Sequence, residues 1–188
     1  DKEGFLYPVI DEDVCVKCGL CEKVCVECHP YEKHMPLYAY ACKNPNESIR
    51  GISSSGGVFT LLAERILEQN GVVFGSRYDA NWKCVHDYIE EKKDIVKLRG
   101  SKYIPSKIGN NFNKALSFLK QGRKVLFVGT SCQIAGLNHF LGREYENLLT
   151  AEITCHGIPS PFIWKKYLNE ETEKMNVENP VITGVNFR

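Results

Sequence analysis

Lys124-Val-Leu-Phe-Val128 runs directly into Gly129-Thr130-Ser131-Cys132-Gln133, and this junction decides the fold. A short apolar run between Gly122 and Gly129 predicts a buried strand. Thr130 to Leu141 is expected to pass from strand through a loop into a helix, and Leu148 to Thr154 predicts the next strand. Upstream, Val58, Leu61, Leu62, Ile66 and Leu67 recur at helical spacing. Val72-Val73-Phe74 and Lys83 to Ile89 predict two more strands. Glu91 to Leu98, then Phe112, Ala115, Leu116 and Leu119, mark two further helices, and Ser160 to Lys174 a last one with Pro161 in its first turn. Strands that alternate with helices favour an α/β domain.

Ahead of that domain stands Cys15-Val-Lys-Cys18-Gly-Leu-Cys21-Glu-Lys-Val-Cys25, with four cysteines separated by two, two and three residues. Ferredoxin-type chains use this spacing to hold a cubane 4Fe-4S cluster, the fourth cysteine serving a neighbouring cluster. Cys28 adds a second C-x2-C pair with Cys25, so a zinc site drawing on His29 or His34 is one alternative, and free or disulfide-bonded thiols another. Gly4 to Ile10 predicts a short strand, Cys21 to Cys25 one helical turn, residues 26–36 a linker and Leu37 to Cys42 a further strand. With this appendage the class is α/β, α+β overall.

A chain of 188 residues that is 43% hydrophobic can bury a sizeable core. Its net charge of +1 argues against nucleic-acid binding driven by phosphate neutralisation. No apolar run approaches the roughly 20 residues of a membrane span, and Asp1-Lys-Glu-Gly4 lacks a signal-peptide pattern. Nine cysteines, an odd number, suit a reducing cytoplasm in which thiols serve a metal. The start at Asp1 and the stop at Arg188, just past Val181 to Phe187, lead us to expect a segment truncated at its C-terminus.

Three loops carry further chemistry. Ser53-Ser54-Ser55-Gly56-Gly57 opens a helix, where hydroxyls and free N–H groups favour a phosphate, although a serine cap with turn glycines accounts for the same residues. Gly100-Ser101-Lys102-Tyr103 offers a hydroxyl, an ammonium and a ring on a flexible start, in a pattern that also suits a solvated loop. Cys132 follows Gly129-Thr130-Ser131 at a helix start, and Cys155-His156-Gly157 ends the next strand. If the two strands are parallel neighbours, Cys132 and Cys155 share one edge, either as a Cys-His nucleophile pair with His156 or as two ligands of a further metal centre. Cys84 and Cys42 read as small core residues.

Together, Cys15 to Cys25, Ser53 to Gly57, Gly71-Val-Val-Phe-Gly75, Leu98 to Tyr103, Val128 to Gly136 and Cys155-His-Gly-Ile-Pro-Ser-Pro161 resemble the coenzyme F-420 hydrogenase/dehydrogenase beta-subunit family. The resemblance departs at Ser131 and Val26, where proline is usual, and in that the family's cysteine run upstream of Gly4 to Pro8 and its C-x2-C pair downstream of Cys155-His-Gly157 are expected outside this segment, which leaves its ligand sets incomplete. It implies an iron-sulfur flavoprotein oxidoreductase that passes electrons between 4Fe-4S clusters and FAD and exchanges a hydride with the deazaflavin coenzyme or another small-molecule carrier. It further implies redox partner proteins or other subunits, and cofactor contacts at Ser54, Ser55, Gly56, Gly57, Gly100, Ser101, Lys102, Tyr103, Gly129 and Thr130. Cys132 and Cys155 become cluster ligands alongside Cys15, Cys18, Cys21 and Cys25. The expected organisation is a ferredoxin-like module over residues 1–34, a linker over 35–50 and a mixed α/β flavin-binding domain over 51–188. A non-catalytic relay or docking subunit, and a cysteine-dependent transferase or hydrolase using Cys132 or Cys155, stand as alternatives.

Overall fold

The computed structural model describes residues 1–30 and 35–187. Its elements follow in order as α1 (Leu20–Lys23), α2 (Glu47–Gly51), α3 (Val58–Leu67), β1 (Val72–Tyr78), β2 (Cys84–Ile89), a 3-10 turn (Lys92–Asp94), α4 (Ile95–Leu98), α5 (Asn111–Lys120), β3 (Val125–Thr130), α6 (Ser131–Leu141), β4 (Leu148–Ile153) and α7 (Pro161–Lys174). The sheet order is β2-β1-β3-β4. β2 folds back on β1 as an antiparallel hairpin, whereas β1, β3 and β4 run parallel.

The period of two in the strands builds both faces of the sheet. Val73, Leu126 and Val128 point to one side and pack with Ala63, Ile66 and Leu67 of α3 and Ile95 and Leu98 of α4. Val72, Phe74, Val125 and Phe127 point to the other, against Ala115 and Leu119 of α5 and Ile134 and Leu137 of α6. β1 and β3 are therefore covered on both faces, as inner parallel strands require, whereas no residue of the edge strand β4 is buried. Phe74, Leu126 and Phe127 are fully buried, and each contributes about 1.5–3 kcal/mol by leaving water. A third cluster, Cys84, Ile104 and Trp164, seats α7 beside the hairpin.

The helix limits have local causes. Gly57 enters α3 at φ 74, and Asn70, at φ 57, turns the chain out of it toward β1. Gly142, at φ 65, stops α6. Ser160 caps α7 by accepting the Ile163 N–H, with Pro161 in the first turn where its missing donor costs nothing.

Two features differ from the sequence expectation. β3 passes directly into α6, because Thr130 is both the last strand residue and the helix cap, so no loop separates them. Gly4 to Ile10 and Leu37 to Cys42 form no strands. Neither finds a ladder partner, and Leu6, Val9, Leu37 and Tyr40 stand exposed, Val9 at 93%. Among the described residues from 1 to 43, none is buried. A mixed α/β arrangement on a four-stranded sheet is thus established, while the described part of residues 1–34 forms no packed ferredoxin-like unit with a core of its own.

Candidate functional site

The carboxyl ends of β1, β3 and β4 lie along one edge of the sheet, the edge at which open α/β sheets receive ligands. Thr130 pairs with Ile153, so Cys132 and Cys155 follow neighbouring parallel strands at this edge, as expected. Both thiols are exposed. Cys132 Sγ is 3.2 Å from Thr130 Oγ1, and Cys155 Sγ accepts the Gly157 N–H at 3.4 Å. Among the described residues no hydrogen bond joins either thiol to His156, so the structure does not assemble a Cys-His nucleophile pair.

The serine-glycine loop and the Gly100 loop do meet. Ser54 Oγ accepts the Ser101 N–H at 2.6 Å, linking segments 47 residues apart, and a Cβ on Gly100 would lie 3.8 Å from Ser54 Oγ. Below them Arg99 Nε donates to Thr60 Oγ1 of α3 at 3.2 Å. The glycines are explained by protein packing. A Cβ on Gly56 would stand 3.0 Å from the Cys42 carbonyl, and one on Gly57 would stand 3.0 Å from Asn44 Cβ. Asn44 is buried, donates its N–H to the Gly56 carbonyl at 2.6 Å and its side-chain amide to the Gly57 carbonyl at 3.3 Å. Cys42 itself is exposed, not buried as expected, while Cys84 is buried and its thiol is pushed up to about 11 by that burial.

Lys102 does not face outward as an anion ligand. Its ammonium donates to the carbonyls of Leu98, Arg99 and Gly100 at 3.3, 3.2 and 3.0 Å, closing the C-terminal end of α4. Burial holds its pKa below the usual lysine value, with the Cys84 thiol acting the other way. Lys102 is thus engaged with backbone carbonyls and the glycine space is taken by Cys42 and Asn44, while Ser54, Ser55 and Ser101 stay exposed.

The metal expectation is corrected outright. Among the described residues no group of three or more histidine, cysteine, aspartate or glutamate side chains is placed to hold a metal ion. This overturns the 4Fe-4S clusters and the metal-ligand roles expected from Cys15, Cys18, Cys21, Cys25, Cys132 and Cys155, and with them the iron-sulfur and ferredoxin character of residues 1–34. The physical reason is local. Cys15, Cys18, Cys21 and Cys28 are exposed on a loop without a core, and α1 is a single turn. Cys25 is instead engaged with Cys28. The Cys28 and Glu27 N–H groups and the Cys28 thiol hold Cys25 below the usual thiol value, and the same contact raises Cys28. The nine cysteines are free, so no disulfide replaces the cluster. For the zinc alternative, His29 is exposed and His34 lies outside the described residues.

Sequence reasoning missed a polar chain under this edge, built on the buried His86 and the half-buried Ser106 and Gln133. His86 Nε2 lies 3.0 Å from the Val128 carbonyl, which can only accept, so Nε2 carries the proton. Nδ1 then accepts from Ser106 Oγ at 2.9 Å, and Ser106 Oγ accepts from Gln133 Nε2 at 2.8 Å. Gln133 Oε1 accepts the Thr130 N–H at 3.1 Å and completes a capping box at the start of α6. Burial keeps the His86 pKa below the usual imidazole value, against the Val128 hydrogen bond. The only sequence signal was Thr130 followed three residues later by Gln133 ahead of an apolar helix.

Comparison with known proteins gives two adjacent matches, both to the coenzyme F420 hydrogenase/dehydrogenase beta-subunit family. The pattern for the N-terminal part of that family matches residues 39–111, and the pattern for its C-terminal part matches residues 122–187. No curated protein matches the chain. A chain from the F420-reducing NiFe hydrogenase complex of Methanosarcina barkeri, in a xenon-derivatized structure, shares the fold with a TM-score of 0.55 and 18% identity. The match covers 70% of the present chain and 48% of the other, so this chain spans about half the length of that relative. Among the described residues no helix is long and apolar enough to cross a membrane.

Proposed function

The chain belongs to the coenzyme F420 hydrogenase/dehydrogenase beta-subunit family, whose two regions it carries in order, and from that premise we propose that it serves an oxidoreductase acting on coenzyme F420 or another soluble hydride carrier. The observation that supports this most is that the two family regions fall on the two sides of one sheet. The first takes in β1 and β2, the second β3 and β4, and the carboxyl edge they share is where a carrier would approach. The chain's own part is to present that edge and to hold its shape through the His86, Ser106 and Gln133 hydrogen bonds.

A hydride carrier delivers two electrons at once, so an acceptor on the protein or on a partner must take them up. The work is therefore expected to be shared with other subunits. The test is to purify the protein with its native partners and follow the absorbance of coenzyme F420 as it is oxidised and reduced. Carrier turnover that requires this protein supports the proposal. A complex that cycles electrons while leaving every soluble hydride carrier unchanged overturns it.

A docking role without chemistry is the second reading, and one observation favours it. Leu6, Tyr7, Val9, Ile10, Val14 and Val16 are all exposed in a stretch that contributes nothing to the core. Residues 1–34 are on this reading the segment that meets a partner protein.

A further inference from the structure

Beside the β1–β2 hairpin the carboxyl edge opens into a groove of about 1390 Å³. Its walls come from residues 80–84, residues 104–109, one side of α7 and the N-terminal residues around Phe5. None of the ten residues expected from the sequence to contact a cofactor lines it. Lys2, Lys83, Lys107 and Lys165 do, and no aspartate or glutamate does. In a chain with 24 basic and 23 acidic residues, that segregation gathers positive potential in one cleft. All four lysines are exposed, and none forms an ion pair among the described residues. The neighbouring Glu3 is turned onto the start of α7. Its carboxylate accepts the Ser160 hydroxyl at 2.5 Å, and its carbonyl accepts the Phe162 N–H at 2.9 Å at the start of α7.

Trp82 supplies the second feature. It holds φ 58, a left-handed conformation that bulky residues rarely adopt. Asp79 enforces it, with Oδ1 accepting the N–H groups of Asn81 at 2.8 Å and Lys83 at 2.9 Å while its carbonyl accepts the Trp82 N–H at 3.1 Å. The Trp82 carbonyl is fixed from the other side by Trp164 Nε1 at 2.7 Å. Glycine or asparagine would make this turn without strain. Strained residues whose surroundings over-determine them cluster at ligand clamps, and here the turn sets an indole at the wall of a lysine-lined groove, with its ring 5.5 Å from that of Tyr78.

We propose that this groove binds a nucleoside di- or triphosphate, with the four lysines around the phosphates and the Trp82 indole stacked on the base. Several unpaired ammonium groups call for several negative charges, and lysine meets phosphate as a point charge. A fixed indole offers a stacking face that any base can use. The groove exceeds the ~300–1,000 Å³ of a small-ligand pocket, which leaves space for a nucleotide and its water.

The chain's two tryptophans both line the groove, so their fluorescence reports on it directly. The full chain is titrated with ATP, ADP, inorganic pyrophosphate and a deca-glutamate peptide, and affinities are checked by calorimetry. No hydride carrier or partner is present, so the outcome is independent of the redox proposal. ATP and ADP are expected to bind saturably, and pyrophosphate at least about tenfold more weakly than ADP. The Lys83→Glu, Lys107→Glu double variant is expected to lose about tenfold or more in ATP affinity, and Trp82→Gly, which relieves the turn, about tenfold with an unchanged or raised melting temperature. Absent nucleotide binding, or binding indifferent to both variants, overturns the proposal. Pyrophosphate binding as tightly as ADP removes the stacking role, and deca-glutamate binding as tightly as ATP makes the groove a protein-docking surface, so either also overturns it.

Discussion

The His86 imidazole sits 2.9 Å from the Ser106 hydroxyl, and because Nε2 donates to the Val128 carbonyl, the neutral ring leaves Nδ1 to accept there. Protonation would turn that acceptor into a second donor inside the protein. The folded state therefore prefers neutral His86, and its pKa lies below the ordinary 6.5 because of burial. The unfolded chain binds the proton first, so stability is complete above about pH 6.5 and falls as the pH drops toward the folded value, by at most ~1.4 kcal/mol per pH unit. Urea melts at pH 7.5 and 5.5 should show this loss, and His86→Gln should flatten it. Equal pH dependence in both proteins would remove His86 as its source.

Gln133 carries two jobs in one side chain, accepting the Thr130 N–H and donating to Ser106. Gln133→Ala opens the capping box and takes a donor from the Ser106 hydroxyl. The expected loss is about 1–3 kcal/mol, seen as a lower urea midpoint with an unchanged slope. Gln133→Glu restores the acceptor for Thr130 but not the donor for Ser106, so it should recover part of the loss.

How much of this could be read in advance follows from which interactions are local. The helices at 58–67 and 111–120 and the strands β1 to β3 were legible because burial imposes a period on neighbouring residues, whereas the helix at 161–174 was marked by Pro161 in its first turn. Gly4 to Ile10 carried the composition of a strand, but a strand exists only when a second one pairs with it, and no such partner is encoded within the stretch. The Ser54 and Gly100 loops were chosen separately, and their contact, across 47 residues, was not legible at all. Four cysteines at ferredoxin spacing predicted ligands, yet spacing fixes which thiols are near in sequence and not whether a loop turns them toward one point. Lys102 looked like a phosphate ligand because its charge is visible in the sequence and the three carbonyls that occupy it are not.

Gly71 tests how tightly α3 is set against the sheet. A Cβ there would come within 2.5 Å of Ile66 Cγ2, 2.6 Å of the Ile66 carbonyl and 2.8 Å of the Lys124 carbonyl. Two of the three are backbone atoms, and the Gly71 and Val72 N–H groups are bonded to those same carbonyls at 3.0 and 2.8 Å. Neither can retreat without breaking the entry to β1. Gly71→Ala should cost about 3 kcal/mol, at the upper end of overpacking effects. A loss below about 1 kcal/mol would mean that the turn from α3 into β1 is free to move.

Ser54→Ala tests the one link between the two loops. Ser54 and Ser101 are exposed, so a single hydrogen bond here is worth about 0.5–1.5 kcal/mol, too little to shift global unfolding clearly. The effect should be local. Exchange of the Ser101 amide is expected to accelerate about fivefold, the equivalent of ~1 kcal/mol, while amides in β3 keep their rates. Ser54→Thr, which keeps the hydroxyl, should retain the protection. Faster exchange throughout β3 would instead place the Ser54 contact in the cooperative core, and the 53–57 loop would then be part of what holds α3 to the sheet.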